Sequence, residues 1–480
     1  MLTERISWHL LGFALLMVLI AVGIVHFFPG YLTSTQYVGG VIVLEILVAV
    51  LWNYRQRFVP ALVVAFLGAG LYTPIQSAFS AMRWAVLVVG AVGGVVLYLH
   101  QRGHWFGLFH AIALSCILSS FASAVVSSFP QVACLKAASL LLLFIYGMTG
   151  ARVAASPDIA KFLAGLLIGL ELLTYIAGIS YFVFHYRLLG NPNSLGAVMG
   201  VGVLPLLLWG MLTTADKGRR YRLQISLVLS LLLLLSSYSR ASIGAALVAA
   251  AVLCIGLREY KTFVRGVVFA LLCAIGVAAV MPVKQGISDA SDENKNSVKK
   301  FLYKGHQTQD VLESRRPVWD QTWDSIRVHP FFGTGFGTSE TRDTRPSSDK
   351  LRVSSDVGVR EHGNSYLAIL EWQGLLGVVP FFALLSLLGI YLGRVFQWMR
   401  RGGEASAPAV AFAATMAAGL FHAGFEDWMF AVGYYLCVFF WMMAFIFVDF
   451  IPPRDATKAE HRNVFLPVRW SNREAVAGGR

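Results

Sequence analysis

The chain has 480 residues, of which 57% are apolar and 14% are charged. A mean hydropathy of +0.65, together with apolar runs that recur along the whole length, excludes a soluble protein built around one hydrophobic core. The formal net charge of +13 would suggest a nucleic-acid partner in a soluble chain. In a membrane protein basic residues mainly set the orientation, so we expect no nucleic acid.

The apolar runs predict an all-α polytopic membrane protein with about 12 to 14 transmembrane helices. The first run is long and is followed directly by others, so we expect a retained helix rather than a removed signal peptide. The predicted spans are centred near Leu16, Leu44, Phe66, Leu87, Cys116, Leu141, Leu167, Leu204, Leu231, Leu247, Leu272, Leu384, Met416 and Phe440.

Lysine and arginine are concentrated in alternate connections between these runs, for example at Arg55, Arg219 and Arg400. Because short basic loops stay in the cytoplasm, both termini are expected to be cytoplasmic and the long polar stretch to face outward. The predicted organisation is N-terminal helices over 1–281, an outward loop containing short helices over 282–364, C-terminal helices over 365–450 and a cytoplasmic tail over 451–480.

The outward loop contains a patterned segment in which Pro317 suits the first turn of a helix that reaches Val328. Arg315 and Arg316 then lie at the start of this helix, where free backbone N–H groups and the helix dipole favour an anion. Guanidinium groups there can bind a diphosphate by charge-assisted hydrogen bonds. The alternative is a pair of solvated loop arginines.

The motif HPFFGTGFG follows, with glycines at Gly333, Gly335 and Gly337 that permit backbone conformations closed to other residues. No predicted strand precedes it, so a dinucleotide-binding loop is not expected and a tight structural turn is favoured. Farther on, His362 precedes an apolar helix that carries Tyr366. A histidine there can accept a proton from a sugar hydroxyl, or can be an ordinary loop residue bound to water or backbone.

Other charged residues lie near apolar runs. Arg240 follows two serines in a short outward turn, where a cation close to hydrocarbon is costly unless it is paired or binds a ligand. Glu426 and Asp427 lie in another outward connection and can either neutralise Arg240 or orient an acceptor. Glu171 and Glu371 lie within apolar runs, and functional and structural roles are open for both.

The order of these motifs resembles the O-antigen ligase and O-antigen polymerase superfamily. The resemblance rests on SYSRAS, ESRRPVW, HPFFGTGFG and the histidine before a GLLG helix, and it covers roughly residues 188 to 441. It places the functional arginines of the family on Arg240 and Arg315 and its loop histidine on His362. One departure is that the family pattern has histidine followed directly by asparagine, whereas Gly363 separates His362 from Asn364 here.

The resemblance implies a GT-C-like glycosyltransferase of the bacterial inner membrane, with its large loop in the periplasm. Its donor would be an undecaprenyl-diphosphate-linked glycan and its acceptor another glycan, with a chain-length regulator and export proteins as further partners. Arg240, Arg315 and His362 would be catalytic, without a metal or another cofactor, and Glu361 is the alternative base. The residues expected to contact substrate are Arg187, Arg316, Glu361, Asn364, Tyr366 and Glu426.

Within this superfamily the segment FEDWMFAVGYY and the large number of predicted spans favour a polymerase of exopolysaccharide, capsule or O-antigen repeat units. Ligation to lipid A core and transfer to protein are the alternatives. A lipid-linked glycan flippase belongs to a different class and is expected to have charges lining a central cavity. A glycoside hydrolase needs two closely spaced loop carboxylates, and nothing in the spacing of the loop acids indicates such a pair.

Overall fold

The computed structural model describes residues 54–71, 76–100, 106–156, 158–186, 188–280, 315–339 and 360–453, together with scattered positions between 19 and 41. Every regular element in these segments is a helix. In chain order the helices are α1 (Tyr54–Gly70), α2 (Gln76–His100), α3 (Leu108–Val125), α4 (Pro130–Ala155), α5 (Ile159–Phe182), α6 (Pro192–Thr213), α7 (Lys217–Ser236), α8 (Arg240–Gly256), α9 (Tyr260–Val280), α10 (Arg316–Val328), α11 (Ser365–Arg400), α12 (Pro408–Ala423) and α13 (Tyr435–Val448).

These helices confirm the predicted all-α polytopic membrane protein. Among the described residues, 7 helices are long and apolar enough to cross a membrane, and α1, α8, α12 and α13 contain shorter apolar stretches. Twelve of the predicted span centres lie within helices α1 to α9 and α11 to α13. The other two, Leu16 and Leu44, lie outside the described residues.

Aromatic side chains fill the centre of the bundle. Phe144 of α4 lies 4.9 Å from Trp441 of α13, measured between ring centroids, and Phe109 of α3 lies 5.4 Å from Phe445. Phe144, Trp441 and Phe445 are fully buried. Helix α13 therefore packs on α3 and α4 in the interior, whereas exposed apolar side chains such as Val379 of α11 lie on the outside of the bundle, as expected for a protein surrounded by lipid.

Helix α6 approaches α8 very closely. A π-helical stretch, Val198–Val203, lies within α6, and a Cβ atom on Gly200 would lie 2.4 Å from the carbonyl oxygen of Ser242 in α8. A Cβ atom on Gly196 would lie 2.5 Å from Ser237 Oγ, in the turn before α8. Only glycine at these two positions allows this approach, which packs the beginning of α6 against the beginning of α8.

Helix α11 is broken near its start, and the HPFFGTGFG segment fills the break. Gly374 has φ 53° and ψ −149°, so the helical hydrogen bonds are interrupted there. The N–H groups of Leu375 and Leu376 donate to the carbonyls of Pro330 and Phe331, at 2.9 and 3.0 Å. Inside a membrane protein unpaired backbone groups are costly, and these bonds satisfy the freed donors.

The same segment also satisfies the freed acceptors of α11. The N–H of Thr334 donates to the carbonyl of Glu371, and the N–H of Gly335 donates to the carbonyl of Trp372, each at 2.9 Å. Gly333, Gly335 and Gly337 have positive φ angles. A Cβ atom on Gly333 would lie 2.3 Å from the backbone of Trp372. The glycines of this motif therefore form a structural turn, as the sequence favours.

Helix α10 confirms the helix predicted from Pro317 to Val328. Arg315 is its N-cap residue, and the carbonyl of Arg315 accepts from the N–H of Trp319 at 3.0 Å. The face turned toward the bundle contains the buried residues Thr322 and Ile326, whereas Trp323 is 45% exposed. Helix α10 thus places Arg315 at its beginning, directed toward the first residues of α11.

Candidate active site

Arg315 connects three parts of the chain at the end of the bundle where α8, α11 and α13 begin, which we call the site end. Its Nη2 donates to Glu426 Oε1 at 2.6 Å, and its Nη1 donates to the carbonyl of Gly363 at 3.3 Å. The side chains of Arg315 and Glu426 are 23% and 18% exposed. This ion pair is therefore reachable from outside the protein, although most of it is covered.

Gly363 makes room for Arg315. Its φ angle is +62°, and a Cβ atom there would lie 2.3 Å from Arg315 Nη1. This is the residue by which the chain departs from the family pattern of histidine followed directly by asparagine. Because the extra residue is a glycine in the left-handed region, the guanidinium can reach the backbone next to His362.

Arg240 begins α8 at the same site end and lies close enough to Arg315 to interact with it electrostatically. Its neighbours form a hydrogen-bonded chain. Ser239 Oγ lies 2.7 Å from Ser242 Oγ, which lies 3.0 Å from His422 Nε2. Trp428 Nε1 donates to His422 Nδ1 at 2.7 Å, and an indole nitrogen can only donate. His422 therefore carries its proton on Nε2, is neutral and holds the start of α8.

His362 is fully buried between two carboxylates. Its Nε2 lies 3.1 Å from Glu371 Oε2, and its Nδ1 lies 3.4 Å from Asp427 Oδ2. The backbone N–H of His362 also donates to Asp427 Oδ2, at 2.8 Å. Both ring nitrogens thus face carboxylates, so the imidazole lies inside the protein rather than at an open surface.

Arg360 extends this charged cluster into α10. Its Nη2 pairs with Glu371 Oε2 and donates to Thr322 Oγ1 at 3.1 Å, while its Nη1 donates to the carbonyl of Val318 at 3.3 Å. The side chains of Arg360 and Glu371 are 2% and 0% exposed. The four charged groups alternate in sign, in the order Arg360, Glu371, His362 and Asp427. Each buried charge thus lies next to an opposite charge, which lowers the cost of burying it.

The carboxyl groups of Glu426 and Asp427 have different electrostatic environments although the two residues are adjacent. Burial raises the pKa of Glu426, and the charge of Arg315 offsets this effect only in part. Burial also opposes ionisation of Asp427, but hydrogen bonds from His362 and its positive charge hold the pKa of Asp427 below its usual value. Conversely, burial alone would lower the pKa of His362, whereas Asp427 and Glu371 together raise it.

Arg315 contacts Glu426 and the backbone beside His362, and Arg240 interacts electrostatically with Arg315, so these four residues lie at the site end. Their assignment to one catalytic site stays a prediction. Two further predicted substrate contacts are exposed: Arg316, which follows Arg315 in the sequence, and Glu361, which precedes His362. Arg187 lies outside the described residues.

Two of the predicted substrate contacts make hydrogen bonds within the protein that stabilise the fold. Asn364 caps α11, because its Oδ1 accepts from the N–H groups of Tyr366 and Leu367 at 2.9 and 3.2 Å. The hydroxyl of Tyr366 donates to the carbonyl of Leu420 at 2.5 Å, which joins α11 to α12. Their assignment to substrate binding stays a prediction.

Sequence reasoning missed Arg360 and the pairing of Asp427 with His362. A signal for the first is present, because Glu371 lies in an apolar helix and such a carboxylate requires a cation. Arg360 lies immediately before that helix. The contact between Asp427 and His362 joins residues 65 positions apart, and no local pattern indicates it.

Comparison with known proteins bears on the same region. A search of curated protein sequences finds no match to the chain. Residues 225–382 match the family model described as O-Antigen ligase. This stretch contains Arg240, Arg315 and His362, and it supports a ligase- or polymerase-type role in the assembly of O-antigen or another polysaccharide. The resemblance to the O-antigen ligase and polymerase superfamily that the motifs predict is therefore confirmed over residues 225–382, which are similar to the O-Antigen ligase family model.

Proposed function

We propose that the protein transfers glycan from an undecaprenyl-diphosphate-linked donor to a glycan acceptor on the periplasmic side of the bacterial inner membrane. The main support is the convergence of Arg240 and Arg315, which lie far apart in the chain, beside the partly accessible carboxylate of Glu426. All three arise from helix ends or turns at the site end. The family match over residues 225–382 includes both arginines.

The chemistry of the proposed reaction suits these side chains. A polyprenyl diphosphate is a good leaving group, so the transferase needs charge stabilisation more than it needs a general acid. Guanidinium groups supply this stabilisation and can bind phosphate oxygens through two hydrogen bonds. We therefore propose a direct, inverting displacement at the anomeric carbon that requires neither a metal ion nor a nucleotide sugar.

His362 is proposed as part of the catalytic site, and its surroundings constrain its role. Glu371 and Asp427 face its two ring nitrogens, at 3.1 and 3.4 Å. Proton transfer from an acceptor hydroxyl directly to His362 would require one of these contacts to open. With the contacts in place, the imidazole can hold Asp427 and the first residues of α11 in position.

Among acceptors, we propose the growing glycan of an exopolysaccharide, capsule or O-antigen repeat-unit polymerase. The alternatives are the lipid A core of an O-antigen ligase and the protein acceptor of an oligosaccharyltransferase. In the proposed topology residues 1–281 and 365–450 contain the membrane helices, residues 282–364 face the periplasm and residues 451–480 lie in the cytoplasm.

Reconstitution tests this proposal directly. The purified protein is placed in liposomes with a lipid-diphosphate-linked glycan in the presence of EDTA, and lipid-linked and released products are separated by mass. We expect a lengthened lipid-linked glycan. Transfer to added lipid A core or to protein would instead identify the other acceptors. Movement of the donor across the bilayer without any transfer would contradict the enzymatic proposal.

A further inference from the structure

Two adjacent carboxylates at the site end have different partners. Asp427 Oδ2 accepts from the backbone N–H of His362 at 2.8 Å and lies 3.4 Å from its Nδ1, so this carboxylate is committed to the buried imidazole. Glu426 Oε1 instead accepts from Arg315 Nη2 at 2.6 Å. Glu426 therefore lies beside the cation that is proposed to hold the diphosphate of the donor.

The turn that carries Glu426 is held firmly. Ser365 Oγ, at the first residue of α11, donates to the carbonyl of Glu426 at 2.7 Å and accepts from the N–H of Met429 at 3.1 Å. The indole of Trp441 donates to the carbonyl of Met429 at 2.7 Å. A catalytic side chain needs such support, because its function depends on its position relative to the reacting atoms.

Accessibility distinguishes Glu426 from the buried candidate bases. His362 and Glu371 are 0% exposed, whereas the Glu426 side chain is 18% exposed. An acceptor hydroxyl can therefore approach Glu426 from outside the protein, whereas an approach to His362 or Glu371 would require their fully buried contacts to open. Asp427 is also partly exposed, but its bonds to His362 stabilise the ionised form and make it a weaker base.

We propose that Glu426 is the general base of the transferase. Its carboxylate takes the proton of the acceptor hydroxyl while the hydroxyl oxygen forms a bond to the anomeric carbon of the donor. The bond between that carbon and the diphosphate oxygen breaks, and its electron pair leaves with the polyprenyl diphosphate, which Arg315 and Arg240 neutralise. His362 is then a positioning residue that holds Asp427. This inference rests on the proposed function and assigns one of its steps.

The contact with Arg315 also suggests an order of events. The charged groups that act on Glu426 are Arg315 from the start of α10, Glu361 from the segment before α11 and Asp427 from its own turn, and it also interacts with Tyr434. A diphosphate that binds Arg315 competes with Glu426 for the guanidinium. Loss of this counterion favours protonation of the carboxylate, so donor binding would strengthen the base before the acceptor reacts.

The first test compares Glu426→Gln with Glu426→Asp in the reconstituted transfer assay. Glutamine retains an oxygen that can accept from Arg315 but cannot take a proton, so we expect kcat to fall by about 100- to 10,000-fold while the KM for the donor changes little. Aspartate should retain part of the activity. Asp324→Asn is the control, because Asp324 is exposed on α10 and pairs only loosely with Arg327, at 3.4 Å; it should transfer at the wild-type rate.

A pH profile separates catalysis from support of the fold. The wild-type rate should fall as the pH is lowered and Glu426 becomes protonated, and Glu426→Asp should shift this acid limb. An acid limb that is identical in the two proteins would overturn the assignment, and so would a Glu426→Gln variant with the wild-type kcat. The pH profile of Glu426→Asp tests the assignment even if Glu426→Gln fails to fold. Absence of transfer by the wild-type protein would overturn the proposed function together with this inference.

Discussion

At the scale of single residues, the guanidinium of Arg315 makes two contacts at once, with Glu426 and with the backbone beside His362. We predict that Arg315→Ala lowers the transfer rate by about 100- to 1,000-fold, since a charge-stabilising donor is lost. Arg315→Lys should recover only part of the rate, because an ammonium group lacks the planar fork. Arg327→Ala, at the exposed far end of α10, is the control. If Arg315→Ala transfers glycan at the wild-type rate, Arg315 is not part of the active site.

His362 leads to a prediction about pH and stability. Because its pKa is raised in the folded protein, its contribution to stability is fully present below the unfolded-state value of about 6.5 and is lost as the pH rises through the folded value. The wild-type protein should therefore exceed His362→Gln in thermal stability most clearly at about pH 5 to 6. Unfolding temperatures in detergent across a pH series measure this difference. A difference that grows toward alkaline pH would contradict the prediction.

Sequence patterns identify the residues of the site better than they identify the bonds between them. Arg240 and Glu426 stand out because they are charges next to apolar runs, and Arg315 stands out because it precedes a predicted helix. Their grouping follows from several helices ending at one side of a membrane. The two carboxylates beside His362 belong to different parts of the chain. Glu371 lies two turns into α11, whereas Asp427 lies in the connection after α12, and only tertiary packing brings both to His362.

At the scale of elements, the break in α11 depends on Gly374. Alanine there would be strained at φ +53°, and its Cβ would lie 2.5 Å from the carbonyl oxygen of Pro330. We predict that Gly374→Ala lowers the free energy of unfolding by at least about 1–2 kcal/mol. Gly389→Ala, farther along the same helix with open space around it, should be neutral or raise stability by about 0.5–1 kcal/mol. Thermal unfolding of the two variants in one detergent makes the comparison.

The buried pair between Arg360 and Glu371 holds α10 against α11. Removal of one partner leaves an uncompensated buried charge, so Arg360→Met should cost about 3–5 kcal/mol of folding free energy. The exposed pair between Arg327 and Asp324 is the matched control, and Arg327→Met should cost about 0–1 kcal/mol. Adding Glu371→Leu to Arg360→Met should restore stability in part. A double variant less stable than Arg360→Met would argue against a charge effect.

Hydropathy predicts the helices well, because a membrane requires long apolar runs and these are visible in the sequence. It does not predict the break in α11, since GLLGVVP continues the same apolar run and matches an unbroken helix. The glycines of HPFFGTGFG indicate a turn, but the partner of that turn is the backbone around Gly374. Backbone pairing between distant segments leaves little trace in side-chain patterns.

At the scale of the whole molecule, the charge distribution predicts which side of the membrane each connection faces. A cysteine at position 347, introduced as Ser347→Cys, should react in intact spheroplasts with a maleimide that does not cross the membrane. Ser406→Cys, in the basic connection before α12, should react only after permeabilisation. The native cysteines all lie in apolar runs, and Cys116, Cys254 and Cys437 are buried, so the background should be low. The reverse pattern would invert the proposed topology.

The hydrogen bonds between residues 330–335 and the broken start of α11 have a consequence for engineering. A chimera that exchanges only the stretch before α11 combines the turn of one protein with the broken helix of another, and any mismatch between them leaves backbone groups of α11 unpaired. A graft that takes residues 315–377 as one piece keeps these bonds intact, and it also moves Arg315, Arg360, His362 and Glu371 together. Exchange of segments with related proteins should therefore succeed best at crossover points outside this piece.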